Sequence, residues 1–70
     1  MPSAELIAIG TELLLGEIQD TNTRFLARSL RDIGIDVYRA TIIGDNAQRI
    51  AAVIQEACTR SDIVITSGGL

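Results

Sequence analysis

The sequence predicts an α/β domain built on a parallel sheet, with elements in the order β-α-β-α-β. Three observations carry this. The runs Leu6-Ile7-Ala8-Ile9 and Ile63-Val64-Ile65 are apolar without alternation, as strands covered on both faces are. Each run is closed by glycine, Gly10 in the first case and Gly68-Gly69 in the second. Between them lie two stretches whose apolar residues recur with a helical period.

In chain order, the first strand is expected over residues 4–9. Residues 10–20 then read as a connection of eleven residues, longer than the usual βα loop of about 2–6 and therefore of functional interest. Leu13, Leu14 and Leu15 within it would cap the end of the core or meet another subunit, with Gly10 and Gly16 as punctuation at either end. Asp20, Thr21 and Asn22 supply cap chemistry for a helix over 22–33. Leu26, Leu30 and Ile33 fall on one stripe of it, flanked by Phe25 and Ala27, while Arg24, Arg28 and Arg31 read as a solvated face. Gly34 sits where a C-terminal glycine belongs. A second strand spans 35–43, and Arg39 within it argues for an edge position. Gly44-Asp45-Asn46 makes a turn and the next cap. The second helix, 47–60, carries Ile50, Val53, Ile54, Ala57 and Cys58 on its apolar stripe, so Cys58 is expected to be an inert core thiol. The third strand follows at 63–66. Crossovers between parallel strands are right-handed. The order 2-1-3 then leaves the strand with Arg39 outermost and sets Gly10 beside Gly68 at a topological switch point.

Composition narrows the chemistry. Seventy residues hold 47% apolar but only 3% aromatic residues, so core volume must come from Ile, Leu, Val and Ala. A chain of this size buries roughly 60% of its unfolded surface and is marginal alone. Six basic residues, all Arg, face nine acidic ones, for a net charge of −3 with no His. No basic patch suggests nucleic acid, and neither His-based nor Lys-based catalysis has a residue to use. A single cysteine rules out an internal disulfide. The start resembles no signal peptide and no apolar run is long enough for a membrane span, so a cytoplasmic location is expected.

The chemistry should collect at the carboxyl edge of the sheet, where ligands of open α/β sheets bind. Thr11 and Glu12 follow the first strand directly, and Ser67, Gly68 and Gly69 follow the third. The Ser-Gly-Gly backbone can cradle an anion, Thr11 can donate a hydroxyl, and Glu12 can accept from a ribose or pterin donor or bind a metal ion. Asp20 and Asn22 are further polar groups at the mouth. Plainer readings exist for each: a solvated loop acid for Glu12, helix capping for Asp20 and Asn22, a tight turn for Gly68-Gly69.

Gly10-Thr11-Glu12-Leu13-Leu14-Leu15-Gly16, Asp20-Thr21-Asn22, Gly34-Ile35-Asp36-Val37, Gly44-Asp45-Asn46 and Ser67-Gly68-Gly69-Leu70 together resemble the N-terminal region of the competence/damage-inducible protein CinA family. The likeness runs through the whole sequence with the family's spacings. It implies a molybdopterin-binding-like fold, a three-layer α/β/α domain with a mostly parallel sheet, of which these residues form a β-α-β-α-β half. It also implies a nucleotide or pterin diphosphate ligand at Gly10, Thr11, Glu12, Asp20, Asn22, Ser67, Gly68 and Gly69, with ADP-ribose pyrophosphatase activity in this domain. A divalent metal ion would serve that reaction, with Glu12 as a candidate ligand, and self-association is expected in the full-length protein. The alternatives are a non-catalytic module that binds molybdopterin and a fragment inactive alone. In the family the Gly-Gly-Leu run continues into a Gly-Pro-Thr segment and an Asp pair that contribute to the site, and a nicotinamide mononucleotide deamidase domain lies further on. Neither is among these residues, which are expected to be the first part of one domain, cut after Ser-Gly-Gly-Leu. Ser67 stands where the family more often has Thr, and it keeps the hydroxyl.

Overall fold

The structure, a computed structural model, describes residues 1–68. The elements run β1 (Ser3–Ile9), α1 (Thr11–Leu14), α2 (Thr21–Asp32), β2 (Asp36–Ile43), α3 (Ala47–Arg60) and β3 (Ile63–Gly68). The strands form one parallel sheet in the order β2-β1-β3, the α/β arrangement the sequence predicts. Because the strand order reverses after β2, right-handed crossovers set α2 and α3 on opposite faces. The burial of β1 agrees: Ala4, Glu5, Leu6, Ile7 and Ala8 are buried in succession, and alternate residues of a strand face opposite sides. With Ala57 of α3 these apolar residues make the core.

The two long helices, α2 and α3, start where their cap residues dictate. The Asp20 carboxylate accepts from the Thr23 amide at 3.1 Å and the Asn46 side chain accepts from the Arg49 amide at 3.0 Å. Gly34, at φ 85°, turns the chain out of α2, a conformation that costs glycine little.

Four expectations change. The connection over 10–20 is not all loop, since residues 11–14 form one helical turn, α1, docked against the end of β2. Leu14 and Leu15 do not cap the core, being 56% and 67% exposed; α1 turns them away from the sheet, and only Leu13 is half-buried. Phe25 and Ile33 are also exposed, so only Leu26, Leu30 and their neighbours Thr23 and Ala27 face inward on α2. Cys58 is exposed and not a core thiol. At about 100° per residue it lies roughly 90° round from the centre of the Ile50/Val53/Ile54/Ala57 arc, beyond the reach of the sheet.

Candidate functional site

The carboxyl ends of β1 and β3 lie side by side, with Ile9 opposite Gly68. Beyond them the chain turns through α1 and returns to the start of α2. A cleft of about 400 Å³ opens between these segments. Ile9, Ser67 and Gly68 line it from the sheet, Glu12 and Leu13 from α1, and Ile18 to Asn22 from the loop and the first turn of α2.

Of the residues expected at a site, the cleft gathers Glu12, Asp20, Asn22, Ser67 and Gly68. Gly10 and Thr11 point their polar groups the other way, toward β2. The Gly10 amide donates to the Ile43 carbonyl at 2.9 Å, and the Thr11 hydroxyl accepts from the Asp45 amide at 3.2 Å. Thr11 thus pins α1 to the turn before α3. Gly69 lies outside the described residues. Gln19 and Thr21 also line the cleft; sequence reading gave Thr21 only a capping role and did not single out Gln19, for which the unusual length of the 10–20 connection was the signal available.

The two carboxylates of the cleft differ in their commitments. Asp20 is engaged as the cap of α2, accepting from both the amide and the hydroxyl of Thr23. Glu12 folds back over Gly10, its Oε1 2.6 Å from where a Cβ at Gly10 would stand. Among the described residues no group of three or more acidic or thiol side chains gathers to hold a metal ion. Glu12 and Asp20 alone do not compose a metal centre.

Gly68 is held by the sheet itself. Its φ is +83°, and a Cβ there would stand 2.3 Å from the Ile9 carbonyl oxygen. Ser67 and Gly68 end β3 and do not form a turn after it. The glycine is thus required by the approach of β1, whatever a ligand asks of it.

Among the described residues, the one buried charge lies at the opposite, amino edge. Glu5 is 2% exposed, and Arg60 of α3 grips it with two hydrogen bonds, from Nε at 2.9 Å and Nη2 at 2.8 Å. Ser61 donates to the same carboxylate, Tyr38 donates at 3.4 Å, and Arg39 lies 3.8 Å away. The Arg60 hydrogen bonds, opposed by burial and assisted by Ser61 and the two arginine charges, hold the Glu5 carboxyl down at about 2. An acid within the expected central strand, Glu5 in Ala4–Ile9, was the sequence signal for this cluster, and it passed unread.

The family described as "Probable molybdopterin binding domain" matches residues 5–70. A "Putative competence-damage inducible protein" of Levilactobacillus brevis is 58% identical over 67 residues, which are 96% of this chain and 16% of that one. A "CinA-like protein" of Kosmotoga olearia is 52% identical over the same shares. The chain therefore spans about one sixth of the length of these relatives. Among solved structures, that of "the protein CinA with unknown function" from Thermoplasma acidophilum superposes with a TM-score of 0.94 at 33% identity, over 99% of this chain and 41% of that one. Sequence and fold agree, and the chain belongs to the molybdopterin-binding domain family, among its CinA-like members.

Proposed function

We propose that the carboxyl-edge cleft binds a nucleotide or pterin diphosphate, and that the full-length protein hydrolyses ADP-ribose at this edge. The observation that supports this most is the convergence of Glu12, Asp20, Asn22, Ser67 and Gly68 from three separate segments on one cleft at the carboxyl ends of the strands, the position where open α/β sheets take ligands. Ser67 offers a hydroxyl and Asn22 an amide, while the first turn of α2 carries backbone N–H groups without helical partners. Glu12 accepts from ligand donors. Any divalent ion that offsets pyrophosphate charge would need ligands beyond Glu12 and Asp20.

The test is incubation of full-length protein with ADP-ribose and a divalent salt. Release of AMP and ribose 5-phosphate supports the enzyme, and its loss in Glu12→Gln ties it to this cleft. The second reading, a binding module without turnover, is favoured by the family description. It predicts saturable binding of molybdopterin and intact ADP-ribose at the end of the same incubation. Absence of both binding and turnover would remove the cleft from consideration.

A further inference from the structure

We propose that the cleft reads an uncharged hydrogen-bond donor group of its ligand through the Glu12 carboxylate, and that Gly10 is the positioning residue that allows this; the inference rests on the nucleotide or pterin reading above. The charge of the lining comes first. Among the described lining residues are two carboxylates, Glu12 and Asp20, and no arginine. Phosphate oxygens placed here would face like charge across a short distance. A carboxylate is an acceptor with two oxygens, and its natural partner is a pair of adjacent donors. The vicinal hydroxyls of a ribose and the amino and ring N–H groups of a pterin both have that form. The phosphates of the same ligand then lie outside the part of the cleft that Glu12 faces.

Of the two carboxylates in the lining, Glu12 is the one with no hydrogen bond or ion pair among the described residues. Asp20 is occupied as a helix cap. The ion pairs among the described residues fall elsewhere, Arg31 with Asp32 and Glu5 with Arg39 and Arg60.

The role of Gly10 follows from what a side chain there would meet. Its φ of 167° is extended backbone that any residue adopts, so conformation does not demand a glycine. What occupies the missing Cβ's space is the Glu12 carboxylate, with Oε1, Cδ and Oε2 at 2.6, 3.1 and 3.4 Å from the ideal Cβ position. At Gly68 the obstacle is strand backbone; at Gly10 it is the movable end of one side chain. A methyl group at position 10 therefore leaves the fold intact and displaces the carboxylate from the cleft.

Calorimetric titration of the full-length protein tests this, with ADP-ribose, a free pterin and inorganic pyrophosphate as separate probes. Glu12→Gln and Gly10→Ala are each expected to weaken ADP-ribose or pterin binding at least about tenfold. Which of the two probes responds tells ribose from pterin. Pyrophosphate affinity is expected to hold or to rise in Glu12→Gln, because a repelling charge is gone. The double variant should bind no worse than Glu12→Gln alone, since Gly10 acts only through Glu12; residues coupled in this way give non-additive losses. Additive losses would make Gly10 merely structural and overturn the positioning role. Equal weakening of pyrophosphate and ADP-ribose by Glu12→Gln would overturn the donor subsite while sparing the diphosphate reading. Failure of the wild type to bind any probe would overturn both. If Gly10→Ala does not fold, Glu12→Asp carries the test, because it withdraws the carboxylate by one methylene without touching the backbone. The same loss is expected, and wild-type affinity would sink the proposal.

Discussion

Glu5 and Gly68 show how differently one residue can constrain this fold. The Glu5 carboxyl, held at about 2 chiefly by the hydrogen bonds of Arg60, titrates well below an unfolded glutamate at about 4.3. Its contribution to stability is therefore complete above about pH 4.5 and is lost as the pH falls toward 2. Thermal melts of wild type and Glu5→Gln should differ most near neutral pH and converge as the pH falls through about 2; a full gap that persists at about pH 1 would show that packing, not charge, carries the effect. Gly68 acts through the backbone. Alanine there meets the Ile9 carbonyl and a positive φ, and we expect Gly68→Ala to cost at least about 1–3 kcal/mol in denaturant melts. Read as part of an anion cradle, Gly68 would matter to a ligand; the register makes it matter to the sheet as well, because Ile9 and Gly68 are partners across it. That Gly68 needs to be glycine was legible from a strand running into Ser-Gly-Gly. The reason was not, since a register between residues so distant in sequence leaves no local trace.

At the scale of elements, period and capping gave α2 and α3 nearly to the residue, because Asp20, Asn46 and Gly34 mark helix ends by local chemistry; unbroken apolar runs gave β1 and the start of β3, which continues through Ser67 and Gly68 beyond the expected end at 66. The short helix α1 escaped because Thr-Glu-Leu-Leu has no room for a period, and it is fixed instead by tertiary contacts, Thr11 to the Asp45 amide and Leu14 against Gly44. Thr11→Val should remove the first of these and cost about 1 kcal/mol, with the change in amide exchange confined to α1 and the turn at 44–46. In α3 the fully buried residue is Ala57, so enlargement is the sharper test of that face. Ala57→Leu should destabilise by about 1–3 kcal/mol through overpacking. Ile54→Ala, at a half-buried position, belongs at the low end of the range for such truncations, about 2 kcal/mol. A neutral Ala57→Leu would mean that α3 does not pack on the sheet through this arc. The position of the cleft at the carboxyl edge was legible from strand order alone, whereas the division of its residues was not: hydrogen bonding sends Gly10 and Thr11 toward β2 and leaves Glu12 to the cleft.

The whole molecule exposes 4854 Å², against about 4,250 Å² expected for a compact monomer of this mass. The excess includes Leu14, Leu15, Ile18, Phe25 and Ile33. The 70-residue chain by itself should therefore melt broadly and at low temperature, and a sharp calorimetric transition from a monomeric sample would contradict this. The strand order has a further result in time. β1 is central, yet it is the first strand to leave the ribosome, and its neighbours are made after it, β2 from residue 36 and β3 from residue 63. At about 5–20 residues per second, the most buried strand of the sheet waits roughly 3–12 s for its second flank to be synthesised. During that interval it has one neighbour at most, and Glu5, one acid among apolar residues, has no Arg60 to meet. Until α3 is made, the charge that locks the finished sheet has only water and the Tyr38 and Arg39 side chains of β2 to meet it.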